Sequence, residues 1–237
     1  MRLLVTRPQP DADRTAARLG ALGHVALVQP VLTIAFNPPP ADVERPGAIL
    51  ITSQNAVRAL TKWPGTRDWQ AVPVFAAGPA TARALADAGF KDVRANASDS
   101  GSLADIVIET YPKTAGPLLY PAARDRAGAL ADGLSVQGYD VRTVEAYRAD
   151  PVTRFYPDVR DALVRGQIDG VLLYSGRTAK TLKAVAAAEG VSDSLARPEY
   201  FIISRHVAGI VADLGALLHV AERPDEDSLL ALIPAAA

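Results

Sequence analysis

Residues 141–151 read VRTVEAYRADP, a segment with the alternating β-branched and aromatic residues that are typical of a β-strand. Pro151 ends it, because proline cannot donate to the hydrogen-bond ladder of a sheet. The strand closes a strand–helix–strand unit that begins at Leu118. A similar unit opens the chain, with one strand at residues 3–6 and another at residues 25–34. The two units suggest that the sequence contains a repeat.

The repeat continues through the rest of the chain at nearly constant spacing. The segment that ends at Ser175 matches the segment that ends at Ser53, an offset of 122 residues. The segment that ends at Ala208 matches the one that ends at Ala82, an offset of 126 residues. The same offset pairs Gly215 with Gly89, and Leu229 with Leu103. Such agreement across several elements predicts an internal duplication of a β/α unit.

Short apolar strands alternate with helical segments of about ten to fifteen residues, a pattern typical of parallel sheets with helices on both faces. We therefore predict an α/β fold with two similar doubly wound parallel-sheet domains. The segment NPPP at residues 37–40 is a stiff break of the kind found in linkers. Two extended segments, at residues 25–34 and 141–151, are expected to form a two-stranded connection between the halves.

The composition excludes several classes of protein. Hydrophobic residues make up 49% and charged residues 22%, as in ordinary globular chains. The net charge of −1 offers no electrostatic argument for binding nucleic acid. The absence of cysteine excludes disulfides and thiol nucleophiles. No apolar run reaches the length of about 18 residues that a membrane span needs, and Pro8 interrupts the first one too early for a signal peptide. We expect a cytoplasmic protein.

Several familiar catalytic motifs are also missing. The sequence contains no phosphate-loop motif, no GxGxxG after the first strand, no HExxH and no GxSxG. His24, His206 and His219 are too far apart in sequence to form a local metal-ligand pair. We expect no metal and no cofactor. Trp63 and Trp69, on either side of a Pro-Gly turn, are expected to pack at the surface around a loop.

The candidate binding residues lie at the carboxyl ends of the predicted strands, where ligands collect in parallel sheets. Small or hydroxyl residues recur there beside exposed backbone N–H groups, with scattered arginines, which is the chemistry of an anion site. Any one of these serines or threonines is more simply explained as a helix N-cap, and only their recurrence favours ligand binding. The candidates are Thr6, Arg7, Thr52, Ser53, Gly78, Thr81, Ala123, Arg124, Ser175, Gly176, Ser204 and Arg205.

Taken in order, these features resemble the uroporphyrinogen-III synthase family of tetrapyrrole and heme biosynthesis. Each motif is loose, but the ordered set spans nearly the whole chain. The matching features are Thr6-Arg7; residues 52–57, which include Asn55; Gly78 to Ala82 with Gly89; the series Leu130, Leu134, Gly138, Val141 and Tyr147; Ser175-Gly176; and Pro224 with Leu229. The resemblance adds Asn55 to the candidate binding residues.

The resemblance implies two α/β domains, the first of them discontinuous: residues 1–36 plus 150–237, and residues 37–149. It implies a lyase that acts on hydroxymethylbilane, a linear tetrapyrrole polycarboxylate, held in a cleft between the domains. Loss of the terminal hydroxyl as water leaves an electrophilic azafulvene, and the last pyrrole ring is inverted through a spiro intermediate before the ring closes. The family also suggests a monomer.

Tyr147 aligns with a recurrent tyrosine of the family and is the candidate donor to the departing hydroxyl. A phenol suits this role because its ordinary pKa of about 10 keeps it protonated at neutral pH. Packing of an aromatic residue at the domain junction explains Tyr147 equally well. Because backbone N–H groups would bind the substrate carboxylates, single substitutions at Thr52, Ser53 or Thr81 are expected to be mild.

The chain also departs from the family, which leaves two other functions open. Ala122-Ala123 stand where relatives often carry Arg-Gly, and Val207 stands where a threonine contact is expected, so that contact cannot be assigned here. These departures fit a relative that has lost activity. A non-catalytic two-lobed protein that binds a small anion would also explain two similar α/β lobes, although the lack of an export signal and the order of the motifs argue against it.

Overall fold

The computed structural model describes residues 1–41, 43–97, 100–125 and 129–235, in which strands and helices alternate. In chain order the elements are β1 (Arg2–Val5), α1 (Asp11–Ala21), β2 (Val25–Val28), β3 (Leu32–Phe36), β4 (Ala48–Ile51), α2 (Gln54–Leu60), β5 (Val74–Ala77), α3 (Pro79–Asp87), β6 (Val93–Ala97), α4 (Ser100–Thr110), β7 (Leu118–Ala123), α5 (Ala129–Val136), β8 (Val141–Pro151), α6 (Pro157–Val164), β9 (Gly170–Leu173), α7 (Gly176–Ala188), β10 (Glu199–Ile202), α8 (Arg205–Val211), β11 (Leu218–Val220) and α9 (Glu226–Leu230).

The chain folds as two compact units. Unit 1 contains Met1–Thr33 and Asp150–Ala237, and unit 2 contains Ile34–Ala149. The chain therefore passes from one unit to the other twice, between Thr33 and Ile34 and between Ala149 and Asp150. The proline segment at residues 37–40 lies inside unit 2, where the Asn37 N–H donates to the carbonyl oxygen of Ala146.

The two sheets have the same topology. A five-stranded sheet has the order β2-β1-β9-β10-β11, with every neighbouring pair parallel. A six-stranded sheet contains the order β8-β7-β4-β5-β6, again with parallel pairs, and β3 lies beyond β8. The sequence alignment matches β1 with β7, β9 with β4, and β10 with β5, so each strand occupies the place of its counterpart. The predicted α/β fold with duplicated parallel sheets is confirmed.

The strands are apolar because helices cover both faces of each sheet. All four residues of β4 and all four of β9 are buried. In unit 2, Ile49 and Ile51 belong to a core cluster with α2, whereas Ala48 and Leu50 belong to a second cluster with α4 and α5. This alternation follows from the two-residue period of a strand.

The prediction for the two tryptophans is wrong. Trp63 and Trp69 are 4% and 6% exposed and lie within the core cluster that contains α2. The Trp63 indole N–H donates to the carbonyl oxygen of Asn37 at 3.2 Å, so the polar end of the ring is satisfied although the ring is buried. A short 3-10 helix at Thr66–Trp69 turns the second ring inward. No helix in the described ranges is both long and apolar enough to cross a membrane.

Candidate active site

Ser53 lies where β4 meets α2, at the carboxyl edge of the sheet in unit 2. It is the N-cap of the helix, with extended backbone angles of φ −157° and ψ 154°. Its Oγ accepts a hydrogen bond from the Ala56 N–H at 3.1 Å, the geometry in which a serine satisfies a free donor of the first turn. Ser53 is therefore an N-cap, as the capping explanation has it. The cap uses one lone pair of Oγ, so the hydroxyl hydrogen and the second lone pair can form other hydrogen bonds.

Tyr147 reaches that same hydroxyl from β8. Its Oη lies 2.8 Å from Ser53 Oγ, although the two residues are 94 positions apart in sequence. A register shift in the β7–β8 pair places Tyr147 opposite Ala123, and its ring packs against the core cluster that contains α2. The structure thus brings together two of the residues that were singled out from the sequence.

The side chain of Thr52, next to Ser53, lies within hydrogen-bond distance of a different tyrosine. Its Oγ1 lies 3.3 Å from the Oη of Tyr120, a residue of β7 that is 3% exposed. Tyr120 belongs to the core cluster with α4 and α5, whereas Tyr147 packs against the cluster with α2. These two neighbouring hydroxyls therefore have separate surroundings.

The first turn of α3 has features of an anion site. Gly78 is the N-cap residue, with φ 82°, and no side chain caps the helix. A Cβ at Gly78 would meet nothing within 4 Å, so the backbone is open at this point. Thr81 is only 5% exposed, and its hydroxyl makes no hydrogen bond within the described part of the chain. Backbone N–H groups and one free hydroxyl can therefore face a carboxylate here.

The remaining candidates of unit 2 are held by contacts within that unit. Asn55 accepts a hydrogen bond from Arg58 at 2.7 Å through its Oδ1. Ala123 ends β7, and the Arg124 N–H donates to the carbonyl oxygen of Tyr147 at 2.9 Å. The Arg124 guanidinium is half-exposed and lies 3.8 Å from the Asp125 carboxylate. Arg124 therefore secures the β8 backbone through its own main chain.

In unit 1, the Thr6 side chain forms a hydrogen bond within the sheet. The residue is fully buried, and its Oγ1 donates to the carbonyl oxygen of Leu172 at 2.7 Å. This bond links the end of β1 to β9. The hydroxyl has a structural partner, so any contact of Thr6 with a ligand would come from its backbone.

Arg7 is also engaged within the protein. Its guanidinium donates to Glu226 Oε1 at 2.9 Å and to Thr15 Oγ1 at 3.2 Å. It also lies 4.2 Å from the centre of the Tyr174 ring, and the Tyr174 hydroxyl donates to Glu226 Oε1 at 2.9 Å. Glu226, the first residue of α9, is therefore the common acceptor of a cluster that links α9 to the ends of β1 and β9.

This cluster shifts the pKa values of its members. Burial alone would raise the pKa of the Glu226 carboxyl. Hydrogen bonds from Thr15 and Tyr174 and the charges of Arg7 and Arg18 outweigh it, so the pKa lies below the ordinary value. Burial, together with the nearby Glu226 charge, raises the pKa of the Tyr174 hydroxyl. Glu226 is thus ionised and Tyr174 neutral at physiological pH.

Ser175 and Gly176 begin α7. Ser175 repeats the N-cap geometry of Ser53, with φ −158° and ψ 155°, and accepts the Thr178 N–H at 3.1 Å. A Cβ at Gly176 would lie 2.7 Å from the Ile210 Cδ1, so glycine permits close packing of α7 against α8. The counterparts from the two halves of the duplication therefore agree in backbone geometry.

Ser204 and Arg205 begin α8, and their side chains are the least engaged of the candidates in unit 1. The Ser204 hydroxyl makes no capping hydrogen bond. Arg205 is exposed, and its guanidinium forms no hydrogen bond or ion pair with any residue that the structure describes. Val207 is 2% exposed and belongs to the buried apolar core.

Comparison with known proteins assigns the fold to a family. The model of the family described as uroporphyrinogen-III synthase HemD matches residues 13–231, nearly the whole chain. The chain belongs to the uroporphyrinogen-III synthase family. A search of the curated proteins found no significant match.

Solved uroporphyrinogen-III synthases share the fold. The enzyme from Helicobacter pylori is 19% identical, with a TM-score of 0.64 and coverage of 98% of both chains. A mutant of the synthase from the extremely thermophilic bacterium Thermus thermophilus is 21% identical, with a TM-score of 0.60 and coverage of 98% of this chain and 96% of that one. At these identities the likeness concerns the fold.

The Tyr174–Glu226–Arg7 cluster of this synthase family member was not found from the sequence. Arg7 and Glu226 are 219 positions apart, so no local motif joins them. The usable signals were weak: Tyr174 follows an apolar strand, and Asp225 is an N-cap candidate before a short apolar segment. Within the described residues, no group of three or more histidine, cysteine, aspartate or glutamate side chains could hold a metal ion.

Proposed function

We propose that the protein is a uroporphyrinogen-III synthase, a lyase that cyclises hydroxymethylbilane with loss of water and inversion of the last pyrrole ring. The observation that carries this proposal is the family match over residues 13–231. The end products of such a pathway are tetrapyrroles, including heme. The non-catalytic binding protein finds no support in the comparisons.

In this proposal Tyr147 donates a hydrogen bond or proton to the terminal hydroxyl of the substrate. The carbon–oxygen bond then breaks with the electron-rich pyrrole supplying the electrons, and the oxygen leaves as water. The position of Tyr147 at the carboxyl edge of the sheet, within hydrogen-bond distance of Ser53, supports the assignment. The protein would otherwise contribute mainly by binding and orienting the chain.

We also propose that the candidate residues at the strand ends bind the substrate carboxylates. Open N–H groups at Gly78, the unpartnered Thr81 hydroxyl and the free guanidinium of Arg205 in the described part of the chain support this assignment. Thr6 and Arg7 would contribute through the backbone or by holding their neighbours, because their side chains have partners inside unit 1. The net charge of −1 means that binding must depend on such local groups.

The organisation of the working molecule is a further part of the proposal. We take residues 1–36 plus 150–237 and residues 37–149 as its two domains, a division that differs by three residues from the compact units, which separate at Thr33 and Ile34. We propose that it acts as a monomer in the cytoplasm, without metal or cofactor. The cysteine-free composition fits a reducing compartment. Light scattering on the purified chain measures the oligomeric state directly.

A coupled assay tests the activity. The protein is supplied with hydroxymethylbilane made in place by a deaminase, and the porphyrin isomers are separated after oxidation. Isomer III above the level of the enzyme-free control establishes the synthase. If a folded protein yields only isomer I from spontaneous closure, the protein is an inactive relative or a binding protein, and equilibrium binding of the linear tetrapyrrole then distinguishes these two.

A further inference from the structure

The Ser53 hydroxyl makes one hydrogen bond more than a helix N-cap requires. Within the described residues it makes two hydrogen bonds, one with the Ala56 N–H at 3.1 Å and one with Tyr147 Oη at 2.8 Å. A hydroxyl offers one hydrogen and two acceptor lone pairs. The cap occupies one lone pair, so the hydrogen and the second lone pair remain for Tyr147.

These bonds allow two arrangements of hydrogens. If Tyr147 donates to Ser53, the Ser53 hydrogen has no acceptor among the described residues, and the phenol hydrogen points at Ser53. If Ser53 donates to Tyr147, the serine hydrogen is used and the phenol hydrogen is directed away from Ser53. The second arrangement satisfies more hydrogen bonds when the phenol faces an acceptor such as a substrate hydroxyl.

We propose that Ser53 is a positioning residue, which donates its hydrogen to Tyr147 Oη and so orients the phenol as a donor to the departing hydroxyl. This inference rests on the proposed function of Tyr147. It gives Ser53 a role beyond binding carboxylate, and it predicts a larger effect of substituting Ser53 than the mild one expected from the sequence.

The duplicated half shows that the contact is not a by-product of the cap. Ser175 has nearly the same backbone angles and makes the same 3.1 Å bond to the first turn of its helix. Its second partner, however, is the Thr178 hydroxyl of its own helix, at 2.9 Å. The capping motif is shared, whereas the contact with a tyrosine of another strand is specific to Ser53.

The test uses the purified full-length protein in the coupled assay, with kcat and KM measured for isomer III. The variants are S53A, S53G, S53T, Y147F and S53A/Y147F. We expect S53A to lower kcat by about tenfold, as expected for the loss of one aligned hydrogen bond in the transition state, with a smaller change in KM. S53T retains the hydroxyl and should recover much of the loss. S53A/Y147F should be no slower than Y147F, because Ser53 acts only through the phenol.

S175A is the matched control for the lost cap. Both serine-to-alanine substitutions should lower stability by a similar amount, because both remove the same N-cap hydrogen bond, but only S53A should couple to Tyr147. The effects of S175A and Y147F on kcat/KM should simply multiply. S53G covers the case in which S53A fails to fold, since glycine is tolerated as an N-cap at little cost.

Three results would overturn the inference. The first is that the kcat losses of S53A and Y147F multiply in full, and the second is that the Ser53 variants change only KM. The third is that S53T shows no recovery while folded. Failure of the proposed function is separate, because the wild-type protein would then form no isomer III, or Y147F would keep full turnover.

Discussion

At the scale of single residues, hydroxyl groups that look alike in the sequence have different surroundings. The Thr6 hydroxyl donates a hydrogen bond to the Leu172 carbonyl, and the Thr81 hydroxyl has no partner in the described chain. The Ser53 hydroxyl links a helix cap to Tyr147. What each side chain contacts, rather than its type, decides how a substitution acts.

Tyr147→Phe removes the phenol oxygen while keeping the ring that packs on the core. We expect kcat to fall by about 100-fold or more, because general acid catalysis commonly contributes that much, with the melting temperature nearly unchanged. Turnover in the coupled assay and thermal unfolding by circular dichroism measure the two effects. Tyr156→Phe is the matched control, since the Tyr156 side chain is exposed and its hydroxyl has no partner in the described chain. Full turnover of a folded Tyr147→Phe protein contradicts the donor role.

Gly47→Ala tests a close approach of two backbones. A Cβ at Gly47 would lie 2.5 Å from the carbonyl oxygen of Ala115 and 2.9 Å from the Cα of Gly116. Backbone atoms cannot rotate away, so we expect the free energy of unfolding to fall by about 1–3 kcal/mol, as in other overpacked sites. Urea titration measures it. Gly20→Ala is the control: its Cβ meets nothing within 4 Å, and a helix prefers alanine. Equal stability of the two variants would show that the approach is looser than described.

At the scale of elements, the cluster around Glu226 holds α9 against the ends of β1 and β9. Glu226 accepts hydrogen bonds from Arg7, Thr15 and Tyr174, and its second oxygen pairs with Arg18 at 3.1 Å. The neighbouring carboxylate of Asp227 is 80% exposed and pairs only at the surface. The two adjacent acidic residues of α9 are therefore expected to contribute different amounts to the free energy of unfolding.

Glu226→Gln should lower the free energy of unfolding by about 2 kcal/mol at neutral pH, because Arg7 loses its charged acceptor. The pKa of Glu226 is lowered in the folded state, so its stabilisation is present above the ordinary value of 4.5 and is lost as the pH falls through the folded value. The difference between wild type and variant should therefore shrink in acid.

Urea titrations at pH 7 and at about pH 3.5 test this dependence. Asp227→Asn is the control, with an expected change below about 0.5 kcal/mol at either pH, since exposed ion pairs contribute little. A wild-type advantage over Glu226→Gln that stays constant or grows in acid would contradict the assignment of the lowered pKa.

At the scale of the whole molecule, each unit buries its own apolar core. One core cluster of unit 1 contains Leu3, Leu172 and Phe201, and two clusters of unit 2 contain Ile49 and Phe75 respectively. Domains with separate cores often unfold separately, so a single two-state transition is not expected. Because the two sheets share a topology, the two cores are built on equivalent strands.

We expect calorimetry of the wild-type protein to resolve two transitions. Gly47→Ala should lower the melting temperature of the transition that belongs to unit 2, and Glu226→Gln that of unit 1. Each variant serves as the control for the other. A single transition that both substitutions shift equally would show that the two units unfold as one cooperative system.

Much of the fold was predictable because it depends on local pattern. The strands β4 and β9 lie in the matched segments that end at Ser53 and Ser175, and the offsets between repeats matched strands that occupy equivalent places in the two sheets. The N-caps Ser53 and Ser175 were also identified as cap candidates, since capping depends on a few neighbouring residues. The two tryptophans were wrongly predicted to lie at the surface, because the Pro-Gly turn between them does not determine the direction in which their rings point.

The sequence by itself therefore determined the α/β class, the duplication, the positions of several strands and the set of residues at their carboxyl ends. Only the tertiary structure decided which of these residues meet. The Ser53–Tyr147 contact spans 94 positions and depends on a register shift between β7 and β8, and the Arg7–Glu226 pair spans 219 positions. The physical reason is that periodicity and capping are local properties of the chain, whereas hydrogen-bond partners and burial depend on how distant strands and helices pack.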